Sequence, residues 1–137
     1  MLFRSSKLSL HAGVETELID VKDFSFPRTI PGWEESDLAS KWREIASRAD
    51  GFVIVTPEYN RSYPGELKQL IDSAYEEYDK KPVACVGVSS GPFGGTAAVE
   101  HLTQVLVEVG LVVMRGAARF SFAEELFEDG KIKNEEM

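Results

Sequence analysis

The stretch FVIVTPEYNRSYPGE, residues 52 to 66, decides the fold. FVIV at 52 to 55 is short and continuously apolar, the pattern of a strand covered on both faces in a parallel sheet. The next ten residues, TPEYNRSYPG at 56 to 65, carry two prolines, an asparagine and a glycine, so the chain leaves the strand through an ordered loop. Pro64 suits the first turn of a helix, where a missing N–H costs nothing. Leu67, Leu70, Ile71, Ala74, Tyr75 and Tyr78 then recur at spacings of three and four and mark one face of that helix.

The same order repeats on either side. Upstream, VETELIDV at 14 to 21 has the β-branched content of a strand, and DFSFPRTIPGW at 23 to 33 is irregular. Between Ser36 and Ala49, the residues Leu38, Trp42, Ile45, Ala46 and Ala49 form an amphipathic stripe that ends at Asp50-Gly51. Downstream, Lys80-Lys81-Pro82 breaks the helix, VACVGV at 83 to 88 is a second apolar strand, and SSGPFGGT at 89 to 96 is a glycine-rich turn. Ala98, Leu102, Val105, Leu106 and Val109 mark another helix ending at Gly110, and LVVM at 111 to 114 is a last core strand. RFSF at 119 to 122 extends it, and FEDGKI at 127 to 132 has the Asp-Gly signal of a small hairpin. Strands alternating with helices of about four turns imply an α/β protein: a parallel sheet with helices on both faces, and a ligand site beyond the carboxyl ends of the strands.

Composition narrows the class. A chain of 137 residues, 43% hydrophobic and without a linker, reads as a single domain over 1–137. Its net charge of -8 argues against nucleic acid as a partner, since the summed field repels polyanions. No apolar run is long enough to span a membrane and the N-terminus lacks a signal-peptide pattern, so a cytoplasmic protein is expected. One cysteine, Cys85, excludes an internal disulfide and reads as a small buried hydrophobe.

Two loops could carry chemistry. In the first, Pro57 and Pro64 restrain the backbone, Asn60 tolerates turn conformations and Tyr59 offers a flat apolar face with a polar tip, which together suit a planar ligand. The plainer alternative is that Asn60 and Ser62 cap the turn while Tyr59 packs locally. In the second, three glycines precede a helix whose first N–H groups could donate to carbonyl or anionic oxygens; the plainer alternative is a flexible turn with Thr96 as N-cap. If the two strands are neighbours, the loops start about 5 Å apart and form two sides of one cleft.

VTPEYNRSYPGELKQLID at 55 to 72 and VGVSSGPFGG at 86 to 95 resemble the NAD(P)H-dependent FMN reductase family, over roughly residues 14 to 130. The resemblance implies a flavodoxin-like three-layer sandwich. It also implies hydride transfer from NAD(P)H through bound FMN to a small-molecule electron acceptor such as a quinone or azo compound. On the same basis Pro57, Glu58, Tyr59 and Asn60 border the flavin ring, and Ser89, Gly91, Gly94 and Gly95 line its other edge. No catalytic side chain and no metal are required, because the flavin itself accepts hydride. Similar proteins associate through the helix after the first loop, so a homo-oligomer, dimer or tetramer, is expected with Tyr75 and Tyr78 as candidate contacts.

Similar sequences begin with a further apolar strand and a phosphate-binding loop that have no counterpart in MLFRSSKLSLHAG, and they continue past KNEEM into a final helix. An incomplete sheet at the N-terminus is therefore expected, with 14–21 and 52–55 paired directly, or the gap filled by another chain. Arg4, Ser5 and Ser6 are the polar residues that could replace the phosphate loop. A non-catalytic relic or interaction module, or a fragment of a complete flavoenzyme, is the alternative reading. His11, His101 and the acidic residues Glu124, Glu125, Glu128, Asp129, Glu135 and Glu136 read as surface, and Trp42 as core. Trp33 could reach the cleft or a subunit contact.

Overall fold

The computed structural model describes residues 13–128 and 131–133. Its centre is a parallel sheet in which β1 (Phe52–Pro57) and β2 (Pro82–Val88) pair along six positions, from Phe52↔Val83 to Pro57↔Val88. The other edge of β2 is shared by two short parallel segments, β3 (Val112–Val113) beside Pro82 and Val83, and β4 (Ala118–Phe120) beside Val86 to Val88. The expected strand at 111–114 is thus a stub that resumes after a break at Gly116, whose φ of 86° needs glycine. Phe127–Glu128 (β5) and Lys131–Ile132 (β6) pair antiparallel as the Asp-Gly signal predicts, with the turn itself outside the described residues.

Three helices follow the periodicity of the sequence. Helix α1 (Asp37–Arg48) begins where the Ser36 hydroxyl accepts a hydrogen bond from the N–H of Ala39, and buries Ala39, Trp42 and Ala46. Helix α3 (Thr96–Glu108) buries Leu102 and Leu106 and ends at Gly110, left-handed at φ 88°. Helix α2 (Gly65–Asp72) is much shorter than its stripe predicts, and Pro64 stands just outside it as N-cap. The Ser73 hydroxyl donates to the carbonyl of Leu70 and Tyr75 has φ -150°, so the chain leaves the helix before Tyr75. Tyr75 is consequently exposed, whereas a 3₁₀ turn (Glu76–Tyr78) folds Tyr78 into the core. Tyr78 is therefore not a candidate for contact between subunits.

Two further expectations are corrected. Residues 14 to 20 have no regular secondary structure, and Val21–Phe24 form a 3₁₀ turn capped by the Asp20 carboxylate, which accepts from the N–H of Lys22. The β-branched residues of VETELIDV have no ladder to join among the described residues, and β propensity is realised only through a neighbouring strand. Nor do the described residues cover FVIV on both faces. Partners in a parallel register point the same way, so Phe52, Ile54, Val83, Cys85 and Val113 share one face, and Val53, Val55, Ala84, Val86 and Val112 the other. One continuous core joins α1, α2 and α3 to the first face alone, while Val53 and Val55 are 54% and 46% exposed.

The core rests on aromatic packing as well as aliphatic side chains. Trp42 meets Phe24 edge-on and packs tilted on Phe52, whose ring in turn meets Tyr78 edge-on. Cys85 is buried beneath α3, as its apolar context predicts, and burial pushes its thiol pKa up. The irregular segment 23–33 is fastened from α1, where Arg43 donates to the carbonyl of Pro31 and also to those of Glu34 and Ser73 outside it. No helix among the described residues is long and apolar enough to cross a membrane.

Candidate functional site

The pairing of Pro57 with Val88 puts the two loops side by side at the carboxyl ends of β1 and β2. The ladder runs one step further, since the N–H of Glu58 donates to the carbonyl of Val88 at 3.1 Å. Tyr59 and Ser62 then exchange hydrogen bonds of 2.8 and 3.0 Å around a two-residue turn in which Asn60 and Arg61 are both left-handed, at φ 49° and 68°. Asparagine takes that conformation readily, as its sequence position suggests, but arginine does not. The turn presents Tyr59 to solvent, 64% exposed, instead of packing it locally.

In the second loop the predicted residues divide into two groups. Ser89 is held from several directions: its N–H donates to Phe120, its carbonyl accepts from Ala123, and its hydroxyl donates to the carbonyl of Gly91. Gly94 and Gly95 are left-handed and buried, and their missing side chains make room for the protein itself. A Cβ on Gly95 would stand 2.7 Å from the N of Val88, and one on Gly94 2.8 Å from Cβ of Arg119. They let the start of α3 nest against β2 and β4. Gly91 differs, for a Cβ there would meet nothing within 4 Å. Phe93 stands 69% exposed beside it, an aromatic among glycines that the sequence displays and that loop composition alone did not single out.

The expectation that α3 offers its first N–H groups to a ligand is overturned. The N–H of Thr96 donates to Phe93 and that of Val99 to Gly95. The next two are taken by a side chain 39 and 40 residues away: the Glu58 carboxylate accepts from Ala97 at 3.0 Å and Ala98 at 3.4 Å. Thr96 is not the N-cap either. Gly95 holds that position without a side chain, and the Thr96 hydroxyl donates to the carbonyl of Phe93. A carboxylate from the neighbouring loop does the work of a local cap and suits the positive end of the helix dipole.

Among the described residues, no cluster of three or more His, Cys, Asp or Glu is placed to hold a metal ion. His101 is exposed, Trp33 lies in the exposed segment after Pro31, and Arg4, Ser5, Ser6 and His11 fall outside the described residues. What the described site offers is two exposed rings, Tyr59 and Phe93, an open glycine at 91, and turns whose backbones are fixed by internal hydrogen bonds. Flat apolar surface beside backbone polar groups suits a planar ligand with hydrogen-bonding edges.

Comparison with known proteins gives relatives and a family for the chain. A quinone reductase of Pseudomonas putida is 40% identical over 101 residues, covering 69% of this chain and 54% of its own length. A 2-hydroxy-1,4-benzoquinone reductase of a Burkholderia species is 39% identical over 83 residues, covering 57% of this chain and 45% of its own. This chain spans about half the length of these relatives. Among solved structures, the flavoenzyme NAD(P)H:(acceptor) oxidoreductase FerB of Paracoccus denitrificans superposes with a TM-score of 0.72 at 28% identity, over 96% of this chain and 75% of that one. Its fold confirms the α/β class read from the strand and helix order and the flavodoxin-like fold that the family resemblance implies. The profile of the NADPH-dependent FMN reductases matches residues 4–125, and this chain belongs to that family.

Proposed function

We propose that this chain forms the flavin-ring side of an NAD(P)H-dependent FMN oxidoreductase whose electron acceptor is a quinone or a similarly small, flat molecule. The observation that carries the reading is the pair of exposed rings, Tyr59 and Phe93, on adjacent loops beyond the carboxyl ends of β1 and β2. Tyr59 and Asn60 border the ring on one side and Gly91 approaches it on the other. Pro57, Glu58, Ser89, Gly94 and Gly95 shape the two loops that make those contacts, since their polar groups or their missing side chains are engaged within the protein. Bound FMN supplies the hydride-accepting and hydride-donating centre. The chain's own residues hold the ring flat, fix its edges with backbone groups and leave one side open to nicotinamide and acceptor in turn. The names of the relatives, which specify quinones, support the acceptor class.

A cytoplasmic setting, where reduced nicotinamide is plentiful, and a homo-oligomer are part of the same proposal. For the second, exposed Tyr75 remains as the aromatic contact on the α2 side. Titration of the protein with FMN, followed by quenching of flavin fluorescence, tests the reading. Saturable quenching is expected, weakened about tenfold or more by Tyr59→Ala through loss of the stacked ring. With FMN bound, NADH or NADPH should be consumed beyond one equivalent per flavin only when 1,4-benzoquinone or another acceptor is present to reoxidise it. Absence of saturable flavin binding would overturn the proposal.

A further inference from the structure

We infer that Glu58 is a positioning residue, a clasp that ties the loop after β1 to the glycine loop and the start of α3, and that it does so without touching the ligand. Three observations carry this. Its backbone continues the β1–β2 ladder by one bond, N–H to the Val88 carbonyl, so the residue is anchored before its side chain begins. Its carboxylate then spans to Ala97 and Ala98, the two N–H groups at the start of α3 left over by Phe93 and Gly95. Helix α3 has no capping side chain of its own, since its N-cap is left-handed Gly95. The clasp therefore joins the two segments that carry Tyr59 on one side and Gly91 and Phe93 on the other.

Two consequences follow for the site. The helix end that follows the glycine loop is closed by the protein's own negative charge, so an anionic group of a ligand gains nothing there. The separation of Tyr59 from the glycine loop is set by a charge-assisted hydrogen bond and not by packing alone, because Gly91 has open space around it.

The bearing on ligand binding rests on the flavin reading above, and the test separates the two. Backbone amide exchange at Ala97 and Ala98 is measured by NMR in the wild type, Glu58→Ala and Glu58→Gln, together with FMN affinity by fluorescence quenching. Glu58→Ala should accelerate exchange at both amides and weaken FMN binding about tenfold. Glu58→Gln keeps an acceptor oxygen and should restore protection and most of the affinity. Unchanged exchange in Glu58→Ala overturns the clasp, and loss of FMN affinity with unchanged exchange assigns Glu58 to direct ligand contact instead. If the wild type takes up no FMN, the functional reading fails and exchange at Ala97 and Ala98 alone decides for or against the clasp. If Glu58→Ala does not fold, recovery of folding and amide protection in Glu58→Gln supports the clasp, and failure to recover overturns it.

Discussion

The indole N–H of Trp42 donates to the hydroxyl of Tyr78 at 2.8 Å, a buried bond between residues 36 apart that joins α1 to the segment after α2. Both side chains lie in the core, so removing the acceptor leaves the indole N–H with no access to water. Tyr78→Phe should cost about 1 to 3 kcal/mol in chemical denaturation. The alkaline limb of stability should change as well. Burial raises the Tyr78 hydroxyl pKa well above the ordinary range, and the bond from Trp42 lowers it only in part. Below about pH 10 the hydroxyl is protonated in both states and its contribution is complete. Above that the unfolded chain releases the proton first, so stability falls as pH rises towards the folded-state value, by at most about 1.4 kcal/mol per pH unit. Denaturation curves for Tyr78→Phe should lack this fall.

Arg61 occupies a left-handed position where the matching two-residue turn prefers glycine after asparagine. Arg61→Gly relieves the strain and should raise stability by about 0.5 to 1 kcal/mol, less than the full left-handed penalty because glycine is freer when unfolded. A loss of stability in the same measurement would mean that the arginine side chain holds the turn by contacts outweighing its backbone cost.

The sheet provides a comparison between its two faces. Val53→Thr and Val55→Thr keep the β-branched shape on the exposed face and should each change stability by no more than about 0.5 kcal/mol. Leu102→Ala, on the covered side, should cost about 2 to 5 kcal/mol. Equal costs on both faces would show that Val53 and Val55 are covered in solution.

Much of this architecture is legible in local sequence pattern. The apolar runs at 52–55 and 83–88 and the stripe from Ala98 to Val109 are local patterns, and each forms the expected element, although the described residues cover only one face of FVIV. Where the sequence misleads, a distant partner decides. VETELIDV has strand composition but no ladder among the described residues, and Tyr75 and Tyr78 continue a helical spacing that the Ser73 hydroxyl interrupts. The loops are visible as loops and their adjacency follows from strand order. The reach of Glu58 to Ala97 is not legible, because nothing near either residue indicates it. Gly94 and Gly95 look like residues that admit a ligand, and their crowding against Val88 and Arg119 appears only once the strands are assembled.

That distinction among the glycines yields the sharpest prediction for the site. Gly95→Ala places a methyl 2.7 Å from a backbone nitrogen at a left-handed position, so neither rotation nor side-chain movement relieves it. It should destabilise the fold by at least about 2 kcal/mol whether or not flavin is present. Gly91→Ala meets no protein atom within 4 Å and should melt within a few degrees of the wild type, since about 1 kcal/mol moves the midpoint by only a few degrees in a domain of this size. If the flavin ring lies against this backbone, the same methyl intrudes on the ring and FMN affinity should fall about tenfold or more, with folding intact. Thermal melts and fluorescence titrations on the two variants separate the roles. Gly95→Ala should lose stability first and affinity as a result, whereas Gly91→Ala should lose affinity alone. Undiminished FMN binding by Gly91→Ala would place the ring elsewhere than against the glycine loop.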